Sequence, residues 1–204
     1  MDQFFRPPVE EYIDRMKKDN VFPVKDQPLI GRISNGEVPL IGDVYLYKYT
    51  TTGTPTSLNE QNIFTSASLI SVFTVVSATN TYATNLNNGK PEAGIWALCY
   101  GVRYLSGIYT TNGYDADLGT ISTVCRWGDI GIRQSSGNII LPKGTPTEVF
   151  NSENNVNDIG AYYLPERQWV KPDDQIIVEM NFAAAITTKT VHYIELMVVR
   201  NAHS

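Results

Sequence analysis

The chain is poor in the residues on which most enzyme chemistry depends. Of its 204 residues, two are histidine and two are cysteine. His192 sits within an apolar, β-branched stretch and His203 lies beside Ser204. No His/Cys grouping has metal-ligand spacing, which excludes a zinc site and a multi-histidine metal centre of the cupin kind. A lone strand histidine reads as a satisfied structural side chain, not a general base. Cys99 and Cys125 read as buried thiols of a reducing compartment, with a disulfide between them as the alternative. No Gly-x-Ser-x-Gly elbow, phosphate-binding loop or dinucleotide fingerprint occurs. The expectation is therefore a protein that is not an enzyme and carries no cofactor.

Charge is also scarce. Charged residues make up 18% of the chain, below the roughly 25% usual for soluble domains. The net charge is −5 and no Lys/Arg run appears, which argues against binding a phosphate backbone. No apolar run approaches the ~20 residues of a membrane span. The charged N-terminal stretch lacks a signal-peptide apolar region, pointing to synthesis in the cytoplasm. Low charge on a β-rich chain gives weak electrostatic protection against association. Either other subunits cover much of the surface, or the surface is simply uncharged.

The few acidic pairs have simple readings. Asp173-Asp174 is turn chemistry after Lys171-Pro172. Asp115 and Asp117 leave open calcium held by loop carboxylates. Glu179 and Glu195, placed on adjacent strands, are the pair glycoside hydrolysis would need, but such glutamates usually face solvent or pair with arginine.

What the chain has in quantity is strand. In Gln175–Phe182, Ile176, Val178, Met180 and Phe182 share one face at period two. Thr190–Arg200 is apolar on both faces, with Ile194, Leu196 and Val198 opposite Tyr193, Met197 and Val199, as befits a sheet centre. Two long strands and one turn make Leu164–Arg200 the organising hairpin. Further strands are expected at 38–49, 66–77, 95–108, 120–134, 139–141, 148–150 and 159–164. Ile95–Ile108 places Trp96, Leu98, Tyr100, Val102 and Tyr104 on one face, and Trp96, Trp127 and Trp169 read as core residues. The list of about eight to ten strands, with long connections at 50–60, 78–94 and 151–158, favours an antiparallel β-sandwich or jelly roll on a Greek-key route.

The first twenty residues differ. Pro7-Pro8 can open a helix, and Val9, Tyr12, Ile13 and Met16 form one apolar stripe. Acidic residues come early and basic ones late, matching the helix dipole, and Asn20 is a suitable stop. The stripe either packs on its own domain or docks on a neighbouring subunit. Val21–Gly36, with Pro23, Pro28, Gly31 and Gly36, reads as an extended linker with a short strand near Leu29–Ile33. The domain plan is thus an arm and linker at 1–36 and one β-domain at 37–204. Tyr109, Asn112 and Tyr114 flank an Asn-Gly loop tip suited to external contacts, or to packing by its own aromatics.

The helical arm, the strand list and the closing run Trp169-Val-Lys-Pro-Asp-Asp-Gln-Ile-Ile-Val-Glu-Met-Asn-Phe182 resemble jelly-roll structural proteins of bacteriophage virions. The resemblance spans roughly residues 30–200. It implies a capsid, minor capsid or decoration subunit that assembles with copies of itself, as a trimer or higher oligomer, and with other virion proteins. The Val9/Tyr12/Ile13/Met16 helix would then dock on neighbours. The absence of a basic arm departs from shells that bind genome directly. The alternative within the same fold is a receptor- or glycan-binding head of a spike or fibre.

Overall fold

The computed structural model describes residues 9–51, 61–62, 89–108, 118, 123–151, 159–181 and 190–202. Two four-stranded antiparallel sheets face each other, and helices cover the outer face of one. Sheet one runs β1 (Leu40–Thr51), β8 (Thr190–Asn201), β3 (Ala97–Ile108), β6 (Ala161–Val170); sheet two runs β2 (Gln61–Asn62), β7 (Ile176–Asn181), β4 (Asp129–Gln134), β5 (Ile139–Pro146). Ahead of β1 come α1 (Val9–Asp19), a 3-10 turn at Val24–Asp26 and α2 (Gln27–Ser34). A helical turn, α3 (Thr123–Arg126), precedes β4, and a second 3-10 turn, Thr147–Phe150, follows β5.

The inner faces meet in the main core. Ile194, Leu196 and Val198 of β8 and Val102 and Tyr104 of β3 pack with Ile130, Ile132, Ile176, Val178 and Met180 of sheet two. Ile176, Val178 and Met180 are completely buried, as their alternation requires; Phe182 lies outside the described residues. Cys99 and Cys125 are buried in this core and are not joined in a disulfide. β8 lies at the centre of sheet one, paired with β1 on one side and β3 on the other.

Several expectations are corrected. β7 and β8 do not form a hairpin. β7 pairs with β2 and β4 and β8 with β1 and β3, so they belong to opposite layers. A strand apolar on both faces wants neighbours above, below and to each side, and β8 finds all of these only inside sheet one. Val21–Gly36 is not an extended linker and holds no strand. Pro28 occupies the first turn of α2, where its missing N–H costs nothing. Leu29, Ile30 and Ile33 then turn toward one apolar cluster. Thr123–Arg126 is helical where a strand was expected, and Trp127 beside it is 63% exposed, not core. Glu148–Phe150 lies in a 3-10 turn, not a strand. The 66–77 strand falls outside the described residues.

β3 carries the most consequential difference. Cys99 pairs with Val198 but Gly101 pairs with Met197, leaving Tyr100 as an extra residue. Such a bulge shifts the alternation by one position. Leu98 and Tyr100 therefore face outward with Trp96, while Val102 and Tyr104 face the main core. Gly101 makes the bulge possible, because a β-carbon there would lie 2.4 Å from Met197 Cε and 3.2 Å from the Tyr162 carbonyl oxygen.

Gly160, entering β6, has φ +74°, and its carbonyl accepts a hydrogen bond from Tyr104 N–H at 2.9 Å. A β-carbon there would lie 2.6 Å from the Tyr104 carbonyl oxygen. Gly160→Ala meets both the left-handed backbone penalty and a backbone clash. We expect it to lower unfolding free energy by roughly 2–4 kcal/mol, measured by chemical denaturation.

Candidate interaction surface

The outward side chains of sheet one make a second core. Trp96, Leu98, Trp169 and Val199 receive Tyr12, Met16, Phe22 and Ile33 from the helical segment. The rings interlock. Tyr12 meets Trp169 edge-on at 5.0 Å, Phe22 stacks on Trp96 at 4.4 Å, and the two indoles cross at 6.3 Å. Their polar atoms are also satisfied, as buried aromatic N–H and O–H groups require. Tyr12 Oη donates to the Trp96 carbonyl at 3.0 Å, Trp169 Nε1 donates to Asp19 at 3.0 Å, and Trp96 Nε1 donates to Asp26 at 3.1 Å. Burial raises the Tyr12 pKa far above the usual phenol range, so its hydroxyl is a permanent donor. Arg15 bridges Asp19 at 3.0 Å and the Arg167 carbonyl.

This arrangement places the four helix residues. Tyr12 and Met16 are completely buried against their own chain, Ile13 is half-buried, and Val9 is 37% exposed at the rim. The apolar stripe covers the chain's own sheet, so a neighbour meets only its margin. Glu10 and Glu11 in the first turn, Lys17 and Lys18 in the last, and Asn20 with φ 47° agree with the dipole and stop signals. Tyr109, Asn112, Tyr114, Asp115 and Asp117 lie outside the described residues.

The candidate catalytic groups are not brought together. Glu179 and Glu195 sit in different sheets, paired with Arg133 at 3.2 Å and Arg103 at 2.8 Å. Asp174 accepts hydrogen bonds from the Ser136 backbone N–H and from the hydroxyls of Ser135 and Ser136, and Asp173 has φ 57°: both serve their turn. His192 is sealed in the sandwich, hydrogen-bonded to Tyr104 Oη at 3.0 Å and stacked parallel to its ring. Among the described residues no group of three or more His, Cys, Asp or Glu could hold a metal ion, and no helix is long and apolar enough to cross a membrane.

Among the described residues an open groove of about 340 Å³ lies between β5 and β6, an edge strand from each sheet. Ile139, Ile140, Leu141, Leu164 and Pro165 give it an apolar lining, with Glu166 and Gln168 among its polar residues. Both strands are irregular here. β5 steps from Leu141 to Thr145 while β4 advances two residues, and β6 steps from Tyr163 to Gln168 while β3 advances from Gly101 back to Cys99. Pro142 and Pro165 occupy these excursions and offer no N–H, so the edges resist a further strand. Sequence reading missed the groove because it arises from two edges distant in the chain. The aspartate partners of the tryptophans were missed as well. The signal for them was the need of a buried indole for an acceptor.

Searches of protein-family models, of curated proteins and of solved structures found no match.

Truncating Tyr12 should loosen the helical layer. We expect Tyr12→Ala to cost about 3–5 kcal/mol and Tyr12→Phe about 1 kcal/mol, with faster proteolysis within residues 9–36 in the alanine variant. Burial lowers the His192 pKa from 6.5 to about 3. Below pH 6.5 the unfolded chain binds a proton at this imidazole that the folded chain refuses until about pH 3, so stability falls as pH drops through that window. Between pH 7 and pH 5 the wild type should lose about 2 kcal/mol more than His192→Gln, read from paired denaturation curves.

Proposed function

We propose that this chain is a structural virion protein, a single jelly-roll capsid, minor capsid or decoration subunit built to assemble with its own copies. The strand pairing carries this reading. β1 pairs with β8, β2 with β7, β3 with β6 and β4 with β5. That is one long hairpin of eight strands, and rolling it up yields the orders β1-β8-β3-β6 and β2-β7-β4-β5. These pairings and orders support a jelly-roll reading, a pattern shared by viral shells, lectins and cupins. Fold alone does not choose among these. Two histidines, one sealed in the core, disfavour the metal chemistry of cupins. The low charge and the scarcity of convergent acid and base groups favour a tile over a hydrolase.

Assembly on this reading uses faces, loops and the outer surface of the helical layer. Exchanging the arm would uncover Trp96 and Trp169, at a cost of several kcal/mol. The blunted β5 and β6 edges likewise disfavour edge-to-edge strand pairing. The virion of a bacteriophage, reached after synthesis in the host cytoplasm, is the corresponding location. A second reading, a receptor- or glycan-binding head, is favoured by Trp127, an exposed aromatic of the sort that anchors ligands.

Mass photometry and negative-stain imaging of the purified chain test the choice. We expect trimers or larger closed assemblies at micromolar concentration, disrupted by charge substitutions on the outer surface of α1 such as Lys17→Glu with Lys18→Glu. A strict monomer that binds a glycan array in a Trp127-dependent manner would establish the second reading instead.

A further inference from the structure

We propose that copies of this chain join through a heterologous contact: Val24 of one copy, on the 3-10 turn Val24–Asp26, inserts into the groove between β5 and β6 of the next, with Lys25 beside Glu166. The proposal rests on the self-assembly reading above and names the two surfaces that meet.

Val24 is the most exposed large apolar side chain among the described residues, with 88% of its surface in water. Single apolar residues at a surface are ordinary, but this one is held out on a rigid support. Phe22, two residues before it, is buried and stacks on Trp96 at 4.4 Å. Asp26, two residues after it, accepts from Trp96 Nε1 at 3.1 Å. Both ends of the turn thus grip the same indole. Asp26 N–H donates to the Pro23 carbonyl at 2.8 Å, and the Gln27 side-chain amide donates to the Phe22 carbonyl at 2.8 Å. The ring of Pro23 fixes its own φ, here −64°. A side chain ordered before contact loses little entropy on docking. Lys25 beside it is exposed and forms no ion pair among the described residues.

The groove complements this knob in both apolar surface and charge. Ile139, Leu141, Leu164 and Pro165 line it, and Ile139 is 56% exposed. Glu166 is the one charged residue among the described lining; it is exposed and forms no ion pair among the described residues. A volume of about 340 Å³ takes a few side chains and no whole element. Pro142 and Pro165 oppose strand addition along either edge, which leaves side-chain insertion as the mode the groove accepts. Knob and groove of one copy lie on opposite sides of sheet one. The turn sits over Trp96 on the outer face, whereas the groove opens between the two sheets. The occupant is therefore a second copy. Because the two patches differ, each copy offers one knob and one groove, which gives a ring where the rotation closes and an open chain where it does not. One insertion buries far less than the roughly 1,600 Å² of a standard interface, so it is weak alone. In a ring every copy is held on two sides. Burial of Val24 supplies the attraction, and the Lys25–Glu166 pair adds direction more than energy.

Single-cysteine variants of the full chain, mixed in pairs, test this directly. The native Cys99 and Cys125 are fully buried and do not compete. Mild oxidation of an equimolar mixture of Val24→Cys and Ile139→Cys chains should give a disulfide-linked dimer with one of each, read by non-reducing electrophoresis and intact mass. Val24→Cys mixed with Ile108→Cys, which uses an exposed residue at the far end of β3, should give only background. Separately, Val24→Asp should weaken self-association at least tenfold by sedimentation, while Tm stays within about 2 °C of wild type. Lys25→Glu and Glu166→Lys should each weaken it, and mixing the two should restore it, because each variant then meets the other's opposite charge. Three results would each overturn this contact while leaving assembly through other faces standing: a mixed dimer no more abundant than in the Ile108 control, wild-type association of Val24→Asp, or charge variants that associate no better mixed than alone. A wild type that stays monomeric at every concentration overturns both the contact and the assembly reading.

Discussion

A sheet that is apolar on both faces cannot be half of a two-layer protein. Sheet one presents Ile194, Leu196 and Val198 to sheet two, and Trp96, Leu98, Trp169 and Val199 to the other side. Two indoles and two aliphatic side chains left in water would forgo several kcal/mol of burial. The helical segment exists, in physical terms, to cover them. A helix of three turns is marginal alone, and here α1 and the sheet stabilise each other through Tyr12, Met16 and Phe22. The second core also explains the composition of residues 9–38. Its apolar residues are spaced to meet the two tryptophans, and its aspartates at 19 and 26 receive the indole N–H groups.

The bulge in β3 is what lets one strand serve both cores. Before it, Trp96 and Leu98 point outward; after it, the same parity points inward with Val102 and Tyr104. Without the extra residue the large aromatic side chains of this strand would all lie on one face, and one layer would be overfilled while the other was hollow. Buried polar side chains then fix the registers. Asn201 accepts from Trp96 N–H and donates to the carbonyls of Gly94 and Ala202. Gln134 accepts from Lys171 N–H and Asn138 and donates to the carbonyls of Lys171 and Asp174. Each is a buried amide with its capacity used, so a shifted register would strand it at a cost of about 1–3 kcal/mol.

Much of this was legible in the sequence where a local rule decides. The period-two pattern of Ile176, Val178 and Met180, the heptad-like stripe of α1, the Asn20 stop and the Lys171–Asp174 turn all follow from short-range chemistry. The failures share a cause. Reading β7 and β8 as a hairpin took sequence adjacency for spatial adjacency, whereas the strand order puts them in opposite sheets. The outward face of β3 slipped at Gly101, a glycine whose role depends on Tyr162 and Met197, 61 and 96 residues further along the chain. Pro23, Pro28, Gly31 and Gly36 looked like a linker because prolines and glycines punctuate linkers. In context Pro28 opens a helix and Gly36, at φ +81°, follows one. The exposure of Trp127 and the groove between β5 and β6 depend on which edges meet, and nothing local encodes that.

The same geometry bears on the self-assembly proposed above. β6 and β5 close one side of the sandwich with proline-bearing excursions, so the backbone there offers a broken ladder. The apolar side of α1 is already engaged with Trp169. Among the described residues, exposed side chains include Lys17 and Lys18 of the outer helical layer, Val24 at 88% exposure, and Trp127 with 63% of its surface in water. In the proposed assembly, contacts of this kind would join folded subunits without exchanging backbone. They need a rigid subunit, since each interface must meet an already shaped counterpart. Two packed cores sharing one sheet supply that rigidity, because no outer contact can shift the helices without moving Trp96 and Trp169, and neither indole can move without disturbing β3 and β6.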